Sequence, residues 1–135
     1  MKKKLESNLQ AEIVKFYTNT YCTKLNKPRH FIFGVQNELS HELSMMISGK
    51  LPLMLRNVVK TSLNVLLSKA ISMGMRNGVS DLIVLQPKRI VFVELKSAVG
   101  KQREQQKEFE GIVTALGFEY YVIRDLETFK HKICI

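Results

Sequence analysis

Three prolines, seven glycines and two cysteines in 135 residues leave little material for a collagen-like, low-complexity or disulfide-stapled chain. Cys22 and Cys134 stand near opposite ends with no metal-ligand spacing, which fits a reducing, cytoplasmic setting. No apolar run approaches membrane-spanning length, and Lys2 to Lys4 are followed by Leu5, Glu6 and Ser7 rather than by an apolar stretch, so neither a membrane span nor a secretory signal is expected. The three histidines, His30, His41 and His131, are isolated from one another and form no HExxH pair, and no glycine-rich phosphate loop is present. Zinc chemistry and nucleotide hydrolysis are therefore unsupported. Repeats and interdomain linkers are also missing, which leaves one ordinary globular domain over residues 1–135, 45% hydrophobic and 24% charged. A chain of this size buries roughly two thirds of its unfolded surface and needs no metal to hold its fold.

Acidic residues are scarce, and unevenly so. Twenty-one Lys and Arg face twelve Asp and Glu, a net charge of +9. Residues 1–76 hold twelve of the basic and four of the acidic side chains, whereas residues 77–135 hold nine and eight. A basic surface segregated in this way concentrates polyanions, so DNA or RNA is the leading partner and an anionic membrane the weaker one. Lys2, Lys3, Lys4, Lys15, Lys24, Lys27, Arg29, Lys60, Lys69 and Arg76 are the candidates for phosphate contact.

Periodicity gives the elements. Leu5, Leu9, Ile13 and Phe16 recur at helical spacing from Leu5 to about Tyr17, and His30 to Val35 is an aromatic and β-branched run that reads as a strand. From Asn37 to Met75 the pattern is helical, with Asn57, Thr61, Asn64 and Ser68 on a polar face, apolar residues elsewhere and Pro52 suited to a first turn. Met45, Met46, Met54, Met73 and Met75 are scattered there as core material rather than as a cofactor site. Val79–Leu85 and Ile90–Lys96 form a hairpin around Gln86-Pro87-Lys88-Arg89, with Pro87 at the second position of a type I turn. A helix from Gln102 to Leu116, apolar at Phe109, Ile112, Val113 and Leu116 and closed by Gly117, a strand from Phe118 to Ile123 and a short helix around Thr128–Lys132 complete an α/β sandwich on a mixed sheet.

The hairpin carries the chemistry. Closed between Gln86 and Arg89, it sets Asp81 directly opposite Glu94, with Cβ atoms about 5 Å apart on one face and Lys96 on that face too. Ile83 and Phe92 partly dehydrate the two like charges, so a cation must compensate. Two answers stand: ion pairs within the sheet, Glu94 with Lys96 or Asp81 with Arg89, or a hard divalent ion on the oxygen ligands, Mg2+ first and Mn2+ second. Gln106 lies on the buried side of its helix, where an amide needs partners, while Gln105 points to solvent.

These residues resemble a known family. Gly78-Val-Ser-Asp81-Leu, Val93-Glu94-Leu-Lys96 and Gly100-Lys-x-x-x-x-Gln106 are similar to the VRR-NUC branch of the PD-(D/E)xK nucleases. Glu6-x-x-x-Gln10-x-x-Ile13-Val14 resembles that family's first helix, and Phe33-Gly-Val-Gln-Asn37 its next strand, although Gln36 and Glu38 stand where Pro and Gly are common. The resemblance implies a restriction-endonuclease-like αβ core, a mixed sheet flanked by helices, with a helical insertion at about 38–76. It further implies that Asp81, Glu94, the Leu95 carbonyl and an acidic residue of the first helix hold Mg2+. Lys96 would hold or deprotonate the attacking water, and Gln106 would orient Lys96 or that water. Glu6 fits the family pattern for the helical acid, but periodicity alone does not separate it from Glu12. Members of this stand-alone size cut branched DNA such as Holliday junctions as homodimers and leave 5′-phosphate and 3′-hydroxyl ends; flap and end-processing nucleases are the near alternatives. Readings from other classes are a nuclease-fold DNA-binding protein that no longer cuts, and an interaction module that uses the 38–76 helices, which a large exposed apolar patch there would signal.

Overall fold

The computed structural model describes residues 2–23, 30–35 and 52–134. The chain divides into two compact units, residues 1–35 with 78–135, and residues 36–77.

In the first unit, helix α1 (Lys2–Tyr17) continues into one π-helical turn, Thr18–Cys22, and β1 (Phe31–Gly34) follows. Ile13 and Tyr17, four apart, are the buried positions of α1, whereas Leu5, expected on the apolar stripe, is 56% exposed one turn beyond the core. The hairpin is β2 (Leu82–Gln86) and β3 (Arg89–Leu95); helix α3 (Glu104–Ala115), strand β4 (Glu119–Ile123) and helix α4 (Leu126–Ile133) complete the unit. The label α2 belongs to Leu53–Ser72 in the second unit.

The sheet order is β1-β2-β3-β4, antiparallel for the first two pairings and parallel for β3 with β4. Period-2 alternation assigns its faces. Ile32, Leu82, Val84, Val91, Val93, Leu95 and Ile123 join Ile13 and Tyr17 of α1 and Phe129 and Ile133 of α4 in the main core. On the opposite face, the rings of Phe92, Phe109 of α3, Phe118 and Tyr120 meet edge to face, with centroids 5.6–6.3 Å apart. Glu94 falls on this second, aromatic face. Strands β3 and β4 both end there, and the carboxyl ends of parallel strands are where α/β sheets place their sites.

Several boundaries differ from the sequence expectation for local reasons. Lys88 has φ +62°, so the turn after Pro87 has a left-handed third residue and is not type I. Pro52 is the N-cap of α2, with ψ 147°, rather than a member of its first turn. Ile112 and Leu116 are 39% and 68% exposed, and Phe109 and Val113 alone make the apolar contact of α3. α4 starts earlier than expected because Asp125 caps it, its carboxylate accepting the Thr128 amide at 2.7 Å.

The second unit contains α2, whose Thr61, Ser62 and Ser68 hydroxyls donate to the carbonyls of Asn57, Val58 and Asn64, four residues back. The portion of the expected helical stretch before Leu51, including Met45, Met46 and His41, lies outside the described residues, as do Lys24, Lys27 and Arg29. Among the described residues no helix is long and apolar enough to cross a membrane.

Candidate functional site

Glu94 sits at the end of β3 with no solvent exposure. Its Oε1 accepts from Lys96 Nζ at 2.5 Å and from the Gln106 side-chain amide, and the Tyr120 hydroxyl faces Oε2 at 3.4 Å. Lys96, 8% exposed, is brought back to Glu94 because residues two apart on an extended strand share a face. Gln106 is 4% exposed and works at both ends of its amide: the nitrogen donates to Glu94, and the oxygen accepts the Arg103 backbone N–H at 2.9 Å, closing the first turn of α3. Gln105, next to it, is exposed.

Asp81 lies one residue before β2. The hairpin register runs from Gln86↔Arg89 to Leu82↔Val93 and stops there, because the Asp81 carboxylate accepts the Leu95 amide at 2.7 Å in place of a further ladder bond. The Asp81 backbone oxygen takes the Val35 N–H at 2.9 Å, which ties β1 to the same corner. Gly78 makes the approach possible. Its φ is +83°, and a Cβ there would stand 2.5 Å from the Gln105 carbonyl oxygen, so the chain entering the site passes against the first turn of α3 with no room for a side chain.

Desolvation and the neighbouring Asp81 charge push the Glu94 carboxyl from 4.5 up to about 7, against the lowering effect of Lys96. The two carboxylates therefore repel across a dry corner, and one ammonium does not fully compensate. Of the ion pairs considered from sequence, Glu94 with Lys96 is present; Arg89 instead makes a two-point pair with Glu119, at 2.5 and 2.7 Å.

Glu6 of α1 reaches the loop after β3, accepting the Ser97 N–H at 2.8 Å, whereas Glu12 is exposed. Gly100 admits it: a Cβ on Gly100 would lie 3.2 Å from Glu6 Oε1 and 3.0 Å from Ser97 Oγ. The guanidinium of Arg124, at the end of β4, holds the carbonyls of Ser97 and Ala98 from the other side. Glu6 is thus joined to the site through the Ser97 backbone. Among the described residues no three His, Cys, Asp or Glu side chains gather into one metal-holding group.

The donor chemistry fits a hard divalent ion all the same. The carboxylates of Asp81 and Glu94 supply oxygens, and among the described residues Glu94 Oε2 has a single long contact and the buried Ser97 Oγ, beside Glu6, has no hydrogen-bond partner. Sequence reasoning passed over Ser97, Tyr120 and Arg124. The strand alternation of β4 carried a signal for Tyr120; nothing local marked the other two. His30, isolated in sequence from the other histidines, places its Nδ1 3.0 Å from the Tyr17 hydroxyl.

Comparison of the chain with protein-family models, with curated proteins and with solved structures returns no match.

Proposed function

We propose that this chain is a metal-dependent endonuclease that hydrolyses DNA phosphodiester bonds, acting on branched DNA such as Holliday junctions, with a restriction-endonuclease-like core of the VRR-NUC type. One observation carries the reading. Asp81, Glu94, Lys96 and Gln106, scattered over 26 positions of sequence, converge on a single buried carboxylate at the open end of a parallel strand pair. A site that only held the sheet together would have little need of a second carboxylate beside Glu94, whose carboxyl burial first and the Asp81 charge second push up to about 7.

In this reading Asp81, Glu94 and the Leu95 carbonyl hold Mg2+, with Mn2+ as a substitute, and Glu6 braces the adjoining loop through Ser97. The bound ion would supply Lewis-acid polarisation of the scissile phosphate and a more acidic water. Lys96 stabilises the charge that grows on the phosphate oxygens and orients the attacking water, since its ammonium is fixed by Glu94 and cannot swing to solvent without leaving a buried carboxylate without its counter-charge. Gln106 keeps the Glu94 plane from rotating. Water attack at phosphorus expels the 3′ oxygen, leaving 5′-phosphate and 3′-hydroxyl ends.

A homodimer would bring one such site to each of two strands. Its support is the apolar exposure of α2, where Leu53, Leu55, Val58, Val65, Leu66 and Ile71 are all between 49% and 75% exposed. The rival reading, a DNA-binding protein that no longer cuts, draws on the closed Glu94–Lys96 pair and the lack of a third clustered acid among the described residues. Labelled duplex, flap, fork and four-way-junction DNA, incubated with and without Mg2+, separates the two. Mg2+-dependent scission with the junction preferred is the expected result; tight binding without scission in Mg2+ or Mn2+ would establish the rival.

A further inference from the structure

The two oxygens of Glu94 are held unequally. Among the described residues, Oε1 has an ammonium and an amide, whereas Oε2 faces the Tyr120 hydroxyl alone, 3.4 Å away. Tyr120 stands on β4 in register with Phe92 of β3, so its side chain shares the aromatic face with Glu94. The ring is 8% exposed and packs against Phe109, with centroids 6.3 Å apart. A phenol buried among rings keeps a polar partner or loses stability. Gln102 adjoins the same hydroxyl, and its amide donates to Glu110 Oε2 at 2.8 Å. Gln106 thus holds Oε1 directly, while Tyr120, with Gln102 from the segment just before α3 beside it, faces Oε2.

We infer that Tyr120, steadied by Gln102, is a positioning residue that sets the orientation of the Glu94 carboxylate. Oε1 is pinned by two donors, and the phenol limits how far Oε2 can turn about that pin. Because 3.4 Å is long for an O–H···O bond, the phenol restrains Oε2 without saturating it, so that oxygen keeps a lone pair for a cation. The consequence for metal binding rests on the nuclease reading; the restraint on Glu94 does not.

The test compares Tyr120→Phe with wild type and with Tyr121→Phe, whose hydroxyl bonds Glu119 at 2.9 Å away from the site. Tyr120→Phe should leave the circular dichroism spectrum unchanged and move the carboxyl 13C resonance of Glu94, while Tyr121→Phe leaves that resonance in place. Mn2+ affinity, measured by calorimetry without DNA, should weaken about 10-fold, and the Mg2+ needed for half-maximal cleavage should rise in step, with the rate at saturating Mg2+ kept within about 2-fold. Gln102→Leu, which leaves the ring in place, should shift the same quantities in the same direction by less, and it serves as the second variant if Tyr120→Phe fails to fold. An unmoved Glu94 resonance in the variants that fold overturns the inference, as does wild-type Mn2+ affinity in Tyr120→Phe. If wild type neither binds Mn2+ nor cuts DNA, the nuclease reading falls, and the Glu94 resonance still decides on Tyr120.

Discussion

The corner around Glu94 and the helix α2 manage polar groups in opposite ways. At the corner, charge is buried and each group is held by several others, so that Glu94 alone takes contacts from Lys96, Gln106 and Tyr120. On α2 Leu53, Leu55, Val58, Val65, Leu66 and Ile71 are exposed, and the Thr61, Ser62 and Ser68 hydroxyls are folded back onto their own helix. A buried charge cluster is costly unless it does chemistry, and an exposed apolar helix is costly unless something covers it, which is what the nuclease and dimer proposals respectively supply. Substitutions should therefore separate the two regions cleanly, the first set acting on reaction and the second on assembly.

The largest effect belongs to the corner. Glu94→Gln and Asp81→Asn keep shape and remove metal-directed charge, so each should lower cleavage by about two to three orders of magnitude or more while DNA binding survives. Lys96→Ala should lose a comparable factor yet retain Mn2+ binding by calorimetry, because the ammonium acts on water and phosphate. Full Mg2+-dependent cleavage by both carboxylate variants would reduce the corner to an ion pair of the sheet. The same assays on α2 variants should show intact chemistry on simple duplex.

The second effect is on stability. Glu94 has a folded-state pKa of about 7 against an ordinary 4.5, so folding favours its protonated form. Stability from this group is fully present below about pH 4.5 and is lost as pH rises through 7, a change on the order of 3 kcal/mol at most. Glu119 and Asp125 are shifted the other way, by the Arg89 guanidinium and by the Thr128 amide, so their contributions are present above the ordinary carboxylate range and vanish only in stronger acid. Calorimetric melting of the metal-free protein should show a midpoint that falls from pH 5 to pH 7.5, and Glu94→Gln should flatten the fall. A wild-type midpoint that rises over this range would mean that Glu94 is ionised and compensated in the folded protein.

How much of this was legible in sequence follows from what is local. The hairpin register was readable because Gln86-Pro87-Lys88-Arg89 fixes the loop length, and the alternation then carries Leu82 to Val93. Gln106 was readable because its helix has one apolar side. The choice between Glu6 and Glu12 was not, since both border that stripe; it is contact with Ser97, ninety-one positions away, that draws Glu6 inward. The alternation of β4 marks Tyr120 as an inward position, but its place beside Glu94 comes from a parallel pairing that no local pattern encodes, and Lys88 takes a left-handed φ after Pro87 while the strands still pair. Leu5 and Leu116 look like core by spacing and are exposed, since helical periodicity does not say where along a helix the packing stops.

The third effect tests assembly. Leu55, Val58, Ser62 and Val65 recur at spacings of three, four and three, and the Ser62 hydroxyl already bonds the Val58 carbonyl at 3.1 Å, so this stripe can be dehydrated without orphaning a donor. With Leu66 and Met73 it offers on the order of several hundred Å2 of apolar surface, within reach of the roughly 800 Å2 that each partner gives a standard interface. Val58→Glu with Val65→Glu should turn a dimer into a monomer by sedimentation velocity and lower junction cleavage about 10-fold, while duplex nicking changes by less than about 2-fold. An unaltered sedimentation coefficient would show that α2 is not the dimer surface.

The smallest effect concerns charge, and here the two regions differ in pairing rather than in burial. Lys107 and Lys130 of the first unit are each 2.7 Å from a glutamate three residues earlier, Glu104 and Glu127. Helix α2 contains Lys60 and Lys69, and no acidic residue lies within its own sequence. A lysine already facing a carboxylate has little counterion to release, because its neighbour screens it; an ammonium on an acid-free helix carries its field to the phosphate intact. Removing one ammonium that meets a phosphate should lower the slope of log affinity against log salt by about 0.9. Lys60→Gln with Lys69→Gln should therefore flatten that slope by up to about two units and weaken binding to all DNA sequences alike, whereas Lys107→Gln with Lys130→Gln should leave it within about half a unit. Fluorescence anisotropy on one duplex across a salt series reads both pairs. Equal slopes for the two double variants would mean that α2 serves assembly alone and that the DNA lies against the basic residues of the first unit.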